Sequence, residues 1–399
     1  MLAHIAKLIW NRKRANTLIL TEVAITFVVL FFLIHTAINN YQLYNKPLGF
    51  EWQKTWSIAL DTGARWNNEQ DHPQLQQLIK ILQGDDQISS IGLTQVPIFQ
   101  QSAWSSDVTI NGKEIFHYGN RVNTEGPKGW GVTLIAGRWF GKQDDGQHYR
   151  PIMVNRLFVE QAFGDADPIN FDIINFDGEG KSEGMPTRIV GVFEDFRQKG
   201  EFSKPLPYMF NYFDLDKGHK YGVNYMQITF HENQNAAYEE TLLKTLKSVN
   251  PLWEFNITTW ANNRDSQINT VLIPLAIIAT VVGFLLLMVA MGLFGVLWQN
   301  INRRTQEIGL RRALGASKGD IQSQVIGELV VLALFSIVFT LAFLVQLPLL
   351  SLLDNMTWSS FWLSIAYTTV VILFIVVLCA LYPSRAAIKI PPAQALHYE

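Results

Sequence analysis

The densest group of side chains that could do chemistry lies in residues 301–320, which read INRRTQEIGLRRALGASKGD. Four arginines stand around one carboxylate, Glu307, with leucines and an isoleucine between them. Guanidinium groups and apolar side chains together recognise another surface, and Arg in particular binds carboxylates through paired hydrogen bonds. The segment therefore indicates binding chemistry.

Turn signals place this segment on a short helix. Gly315 stands where a helix would end, and Ser317-x-x-Asp320 fits a capping box that opens the next helix. Leu310 and Leu314 are one turn apart, and Ile308 lies near the same face. A helix with an apolar ridge and a basic rim suits docking to another protein. Equally, the positive charges could serve only to orient the flanking apolar segments.

Motifs for catalysis are missing from the sequence. There is no G-x-x-x-x-G-K-[ST] and no G-x-S-x-G, and the eight histidines do not fall at metal-ligand spacings. Adjacent acids such as Asp144-Asp145 and Glu194-Asp195 lie on polar stretches, where they are usually solvated. We therefore predict a protein that is not an enzyme, with no catalytic, cofactor-binding or metal residues.

The elements around residues 301–320 are too apolar for a soluble protein. Only 17% of the 399 residues are charged, and no charge occurs between Asp265 and Arg303 or between Glu328 and Asp354. A helix needs about 20 mostly apolar residues to cross a bilayer. Four segments meet this requirement: residues 17–38, 271–298, 325–350 and 361–382. The single cysteine, Cys379, lies inside the fourth segment.

Basic residues next to the spans predict the orientation. Lysines and arginines cluster before the first span, in the loop 299–324 and in the tail 383–399, whereas the loop near Asp354 has none. We predict that both termini and the 299–324 loop are cytoplasmic and that residues 39–270 lie outside. The first span reads as an uncleaved anchor. Residues 1–16 fit either a helix on the membrane surface or a frayed basic terminus.

Two strand–helix–strand patterns lie at the two ends of the large domain, at residues 50–97 and 222–262. Leu75, Leu78, Ile79 and Leu82 form an apolar stripe in the first, where Pro73 suits the first turn of a helix. The second contains a helix over 235–249. Such units pair as an α+β fold of the split βαβ type. Residues 98–221 then form an inserted, strand-rich subdomain.

The alternation of apolar residues predicts the strands of the whole domain. They are 56–60, 88–93, 107–110, 114–118, 134–139, 151–154, 171–176, 187–192, 226–230 and 255–258. Asn111-Gly112 predicts a two-residue hairpin between two of them. A short helix is expected over 155–163. The predicted fold class is therefore a membrane protein with four transmembrane helices and a large extracytoplasmic α+β domain between helices one and two.

Small residues line the second span and suit close helix packing. We predict that this span lies at a dimer interface through the following positions: Ala276, Ala279, Gly283, Gly292 and Gly295. Glu22 in the first span and Glu328 at the start of the third are ionisable groups near the membrane. An intramembrane carboxylate marks a functional site, but near the interface it more often reaches headgroup water.

Two stretches of sequence resemble a known family. RRTQEIGLRRALGASKGDI and the ending YPSRAAIKIPPAQALHYE are similar to the signature loop and tail of MacB/FtsX-type ABC-transporter permeases. The runs 134–140 (LIAGRWF) and 154–158 (VNRLF) resemble phrases of a MacB-like periplasmic core domain. This resemblance implies a permease that dimerises, hydrolyses nothing and lies in the inner membrane.

The resemblance also implies roles and partners. The coupling helix that docks on the ATPase would comprise Arg303, Arg304, Glu307, Ile308, Gly309, Leu310, Arg311, Arg312, Leu314, Gly315 and Ala316. Because the chain starts directly at the first membrane helix, we expect ATP to be bound by a separate cytosolic ABC ATPase subunit.

Other implied partners are a second permease copy or paralogue, the lipid bilayer, and a periplasmic adaptor or substrate protein, with no nucleic acid. Cargo stays open among lipoproteins, peptides, drugs and control of a periplasmic partner. The alternative function is a membrane sensor or scaffold with a periplasmic ligand-binding domain and no ATP coupling.

Overall fold

The computed structural model describes residues 13–63, 66–173, 185–214, 224–303, 305–353 and 356–388. The chain divides into two compact units. The membrane unit comprises Met1–Gln42 with Leu272–Glu399, and the outer unit comprises Leu43–Val271. The interfacial helix predicted over residues 1–16 lies almost wholly outside the described residues.

Ten helices and eleven strands make up the described part of the chain. The helices are α1 (Lys13–Tyr44), α2 (Asn68–Gln83), α3 (Glu125–Gly129), α4 (Arg156–Ala162), α5 (Ala236–Val249), α6 (Trp260–Arg303), α7 (Thr305–Ala313), α8 (Lys318–Leu344), α9 (Gln346–Leu349) and α10 (Trp358–Ile388). The strands are β1 (Thr55–Asp61), β2 (Ile88–Thr94), β3 (Trp104–Ile110), β4 (Lys113–Val122), β5 (Leu134–Gly137), β6 (Arg150–Asn155), β7 (Asp172–Ile173), β8 (Thr187–Phe193), β9 (Tyr208–Tyr212), β10 (Tyr225–Phe230) and β11 (Glu254–Thr259).

Four helices, α1, α6, α8 and α10, are long and apolar enough to cross a membrane. This confirms the prediction of four spans. The helices extend beyond the predicted spans, for example α1 to Tyr44 and α6 from Trp260 to Arg303. α8 ends at Leu344, where Val345 caps the helix, and the short α9 continues the apolar span to Leu349. The fourth span continues through Pro383 to Ile388, whereas the tail was predicted to begin at residue 383.

Side chains on one face of α1 form the centre of the membrane unit. Ile19, Val23, Phe27 and Leu30 are buried at spacings of three and four residues. Since lipid is as apolar as these side chains, close packing and hydrogen bonds must hold the helices together. One such bond runs from Ser336 Oγ on α8 to the Leu20 carbonyl at 2.8 Å.

α6 contacts the rest of the membrane unit along a narrow seam. Val282, Val289, Leu293 and Leu297 are buried there, about one or two turns apart. Most of the other apolar side chains on this helix are exposed within the chain, among them Ile277, Phe284, Leu287 and Met291. One broad face of α6 is therefore available to lipid or to another protein.

The outer unit is built on one eleven-stranded sheet. Its order is β11-β1-β10-β2-β4-β9-β6-β8-β5, with β3 paired to β4 and β7 paired to β8. The first four strands are antiparallel, and α2 and α5 contribute to the core beside them. β4–β9 and β6–β8 are parallel pairs. The two parts meet where Thr94 of β2 pairs with Val122 of β4.

This arrangement confirms the predicted α+β domain between the first two spans. The hairpin at Asn111-Gly112 is present, with φ of 53° and 77° at the two residues. Strand β9 was not predicted from the sequence, although its aromatic residues Tyr208 and Phe210 are buried. Beyond Ile173, the strand predicted over 171–176 lies outside the described residues.

One helix start was predicted wrongly. α2 begins at Asn68, five residues before Pro73, so Pro73 does not lie in the first turn. The Asn67 side chain accepts a hydrogen bond from the Glu69 amide at 3.0 Å, and two acidic residues follow in the first turn. A capped, acidic N-terminus stabilises the extra turn.

Candidate coupling site

The segment between the second and third spans folds into the predicted short helix. α7 covers Thr305–Ala313, and Gly315 follows it with φ of 98°. The Ala316 amide donates to the Arg311 carbonyl at 3.0 Å, a bond from beyond the helix end back into its last turn. Glycine is favoured at this position because the left-handed conformation strains other residues.

The next helix opens with the predicted capping box. Ser317 Oγ accepts from the Asp320 amide at 3.2 Å, and Asp320 Oδ2 accepts from the Ser317 amide at 3.0 Å. Only two residues, Ala316 and Ser317, separate Gly315 from the start of α8 at Lys318. Since both helix ends are closed by local hydrogen bonds, the connection between α7 and α8 is short and well defined.

Arg311 links the two helices. Its Nη2 pairs with Glu307 Oε1 at 2.6 Å, and its Nη1 donates to Gln324 Oε1 at 2.6 Å. Gln324 Nε2 in turn donates to Glu328 Oε1 at 3.3 Å. These four side chains, which we call the Arg311 row, join one face of α7 to two successive turns of α8. Glu307, the carboxylate among the arginines of this segment, is thus paired with Arg311 of its own chain.

The two faces of α7 differ in burial. Ile308 is 7% exposed and packs in the apolar cluster of the membrane unit that includes Leu297, Ile301 and Ile321. Leu310 and Leu314 are 51% and 79% exposed. The predicted ridge is therefore wrong in one respect, because Ile308 points into the protein and only the two leucines point outward.

The remaining predicted coupling residues fall into two groups. Gly309 is buried and Ala316 is half-buried. Arg304 and the side chains of Arg303 and Arg312 lie outside the described residues. Gln324 was missed by the sequence prediction, and its spacing of four residues from Glu328 is the signal that could have indicated it.

The small residues of α6 have different surroundings. A Cβ added at Gly283 or at Gly295 would meet no atom within 4 Å, and Ala276 and Ala279 are exposed. At Gly292, an added Cβ would lie 2.6 Å from Glu22 Oε2 on α1. Its small size thus accommodates Glu22 of the same chain. The dimer interface stays a prediction, and it fits the other four positions better than Gly292.

Residues 271–392 match the family described as FtsX-like permease C-terminal. Several curated relatives carry the name macrolide export ATP-binding/permease protein MacB. The one from Shewanella sp. (strain W3-18-1) is 26% identical over 320 residues, covering 73% of this chain and 46% of the relative. The one from Escherichia coli (strain K12) is 25% identical over 360 residues, covering 82% and 50%. The chain spans about half the length of the curated relatives it matches.

Two of the solved structures found are similar to part of the chain. The periplasmic region of MacB from Actinobacillus actinomycetemcomitans is 15% identical with a TM-score of 0.37, covering 57% of this chain and 98% of that one. The extracellular domain of the ABC-type transporter YknZ from Gram-positive bacteria is 13% identical with a TM-score of 0.33, covering 50% and 99%.

Residues 271–392 are thus similar to the FtsX-like permease C-terminal family, and most of the chain is similar to MacB proteins. In the described residues, these matches accompany four helices long and apolar enough to cross a membrane, with a large domain between the first two.

Proposed function

We propose that this chain is the transmembrane subunit of an ABC transporter and that a cytosolic ATPase on another chain drives movement of its extracytoplasmic domain. The observation that carries the proposal is the two-faced α7. Its inner face is fixed by Ile308 and by the Arg311 row, while Leu310 and Leu314 point outward. Two exposed leucines on a rigid helix make an apolar anchor for a partner groove.

The long helices supply a route for the movement. α1 has 32 residues and α6 has 44, and each runs unbroken from the membrane unit into the outer unit. At 1.5 Å per residue, α6 is about 66 Å long. A push at α7 is carried along α6 to the outer unit through the helical hydrogen bonds, although Pro274 lies inside this helix and cannot donate one of them. ATP is then bound and hydrolysed only on the partner chain.

The localisation and the other partners follow from the same proposal. The permease lies in the cytoplasmic membrane with both termini and α7 inside and the outer unit in the periplasm. A second copy or a paralogue packs against the broad exposed face of α6. The cargo is a peptide, drug or lipoprotein, or the movement regulates a periplasmic partner that reaches the outer unit directly or through an adaptor.

Co-purification in mild detergent tests the docking role of α7. We expect the chain to capture a Walker-motif ATPase in stoichiometric amount. The double substitution Leu310→Asp with Leu314→Asp should abolish capture with little loss of stability, since both side chains are exposed. Arg311→Gln and Glu307→Lys should weaken capture because they break the row that orients α7.

Leu252→Asp is the matched control. Leu252 is 83% exposed and lies in the outer unit, so its charge should leave the ATPase bound. An ATPase that stays bound to the Leu310→Asp, Leu314→Asp variant would contradict the docking role of α7. If the unmodified chain captures no ATPase in several detergents, a membrane sensor or scaffold becomes the better assignment.

A further inference from the structure

The loop that follows β8 contacts the chain where it leaves the first membrane helix. Gly49, with φ of 85°, lies so close to this loop that an added Cβ would be 1.9 Å from the Asp195 carbonyl oxygen. The Arg197 amide donates to the Leu48 carbonyl at 3.0 Å. We call residues 195–203 the joint loop. Residues 46–50 are therefore in direct backbone contact with the joint loop.

Arg197 fastens the two segments with its side chain. The residue is 2% exposed, and its guanidinium donates to the carbonyls of Lys46 at 2.8 Å and of Ser203 at 2.8 Å. It also donates to the carbonyls of Pro47 and Glu201. A buried cation is costly unless hydrogen bonds satisfy it. Separating residues 46–47 from the joint loop would take both acceptors from the buried Arg197 Nη1, so the two segments move together.

The joint loop also contacts the start of the second membrane-crossing helix. Glu201 forms an ion pair with Arg264 on α6, with the two side chains 7% and 16% exposed. Arg264 lies over the Trp52 ring at 4.5 Å from its centre. Gly200 takes φ of 92°, and a Cβ there would lie 4.0 Å from Gln267 Cβ on α6. The loop thus connects α6 with the segment that follows α1.

Aromatic packing completes this connection. The Phe50 ring lies 4.9 Å from the Phe196 ring in the joint loop and 5.5 Å from Trp260, the first residue of α6. It also lies 5.3 Å from Phe99. Rings at these distances are in van der Waals contact, and all four residues are buried. A displacement of Phe50, which contacts both Trp260 and Phe196, therefore moves the joint loop.

On its other side the joint loop meets the middle of the sheet. The Phe196 ring lies 5.0 Å from Tyr208 and 5.3 Å from Phe210, both on β9. The buried Tyr208 hydroxyl donates to the Gln198 side-chain carbonyl at 2.5 Å. β9 pairs with both β4 and β6, so it is central to the strand-rich part of the outer unit.

We propose that the joint loop, residues 195–203, transmits movement of the two membrane-crossing helices to β9 and so to the strand-rich half of the outer unit. Arg197 and the Glu201–Arg264 pair are its positioning residues. The inference rests on the proposed function, because it names where the ATP-driven movement enters the outer unit. The local part of the inference is the rigid connection of residues 46–50, 195–203 and 260–267. This connection does not depend on ATP.

Hydrogen exchange on the full chain in nanodiscs tests the local part first. The joint loop and residues 260–267 of α6 should open together, with the same protection. In Arg264→Gln, residues 260–267 should exchange at least about tenfold faster, because a buried charge-assisted hydrogen bond is lost. The swapped pair, Glu201→Arg with Arg264→Glu, should restore most of the protection. Lys244→Gln, which breaks an exposed pair on α5, should change neither segment.

The same measurement on the chain with its captured ATPase tests transmission. Trapping the ATPase with ATP and vanadate should change exchange in α6 and in β9 of the unmodified chain. In Arg264→Gln and in Arg197→Lys the change in β9 should be lost while the change in α6 within the membrane unit remains. Lys244→Gln should behave like the unmodified chain.

The outcomes separate the two proposals. A nucleotide effect that reaches β9 unchanged in both Arg264→Gln and Arg197→Lys would contradict the proposed role of the joint loop. So would independent opening of the loop and residues 260–267 in the unmodified chain. If trapping the ATPase changes exchange nowhere in the chain while the loop and helix still open together, the proposed function fails and the rigid local connection stands.

Discussion

At the scale of single residues, Ile308 and Arg311 contribute differently to the coupling site. The Arg311–Glu307 pair is 41% and 48% exposed, and an exposed pair at this spacing contributes about 0.3–0.5 kcal/mol. Burying a side chain such as Ile308 contributes about 1.5–3 kcal/mol. Ile308 therefore holds α7 against its neighbours, and Arg311 fixes which face of α7 turns outward.

We expect His117 to make the stability of the outer unit sensitive to acid. It is buried between Trp104 and Phe158, and burial lowers its pKa from 6.5 to about 4, against a weaker opposing effect from the Ile115 backbone and Asp107. Between these two pH values the unfolded chain binds a proton that the folded chain does not. Stability attributable to this group therefore falls as pH drops from 6.5 to about 4, by about 1.4 kcal/mol per unit.

The slope of stability against pH reflects the number of protons that the chain takes up on unfolding. We expect His117→Phe to lower that number by one. Thermal unfolding of the detergent-solubilised chain, followed by tryptophan fluorescence across this pH range, measures the slope of stability against pH. His231→Gln, at an exposed position of the same unit, is the control for replacing a histidine. A slope that is identical in His117→Phe and the unmodified chain would show that His117 is not the group responsible.

At the scale of elements, α6 carries two kinds of glycine. Gly283 faces open space, whereas Gly292 faces Glu22 of the same chain. Gly283→Leu should therefore disrupt a dimer without harming the protomer, measured as the shift from dimer to monomer in mass photometry. Gly292→Leu should instead destabilise the protomer, because its side chain collides with Glu22.

A small substitution at Gly283 is the internal control for the dimer prediction. Gly283→Ala adds one methyl group in open space and should retain the dimer. If Gly283→Leu also leaves the dimer intact, then α6 does not supply the interface at this position and the exposed face of the helix contacts lipid instead.

Helix ends show how local signals compete. The Ser317 and Asp320 capping box and the Gly315 helix end were predicted correctly because each depends on residues within four positions. At α2, two start signals compete, the Asn67 cap and Pro73, and the cap determines the first residue. Local rules identify such signals but do not rank them when two lie in one segment.

At the scale of the whole molecule, the orientation in the membrane can be measured with single cysteines. Cys379→Ser removes the only native thiol. Against that background, Leu252→Cys should react with a membrane-impermeant maleimide added to spheroplasts. Leu314→Cys should react only after the membrane is permeabilised, although both side chains are exposed in the fold.

Labelling of Leu314→Cys in intact spheroplasts would reverse the predicted orientation and remove α7 from the cytosol, where an ATPase could reach it. Labelling of Leu252→Cys from outside, with Leu314→Cys protected, would place the outer unit and α7 on opposite sides. Both variants should first be shown to react fully in detergent.

The sequence by itself determined the four spans, the α+β domain between the first two and the short helix within residues 301–320, with its glycine end and the capping box that follows. These features depend on composition and on short-range spacing, since an apolar run of about 20 residues or a capping box is complete within its own segment.

Only the tertiary structure decided which residues meet across the chain. It turned Ile308 inward, joined Arg311 to Gln324, placed Gly292 against Glu22 and brought residues 46–50, 195–203 and 260–267 together. These contacts depend on packing between segments up to about 270 residues apart, and a residue's own neighbours in sequence do not specify such a partner.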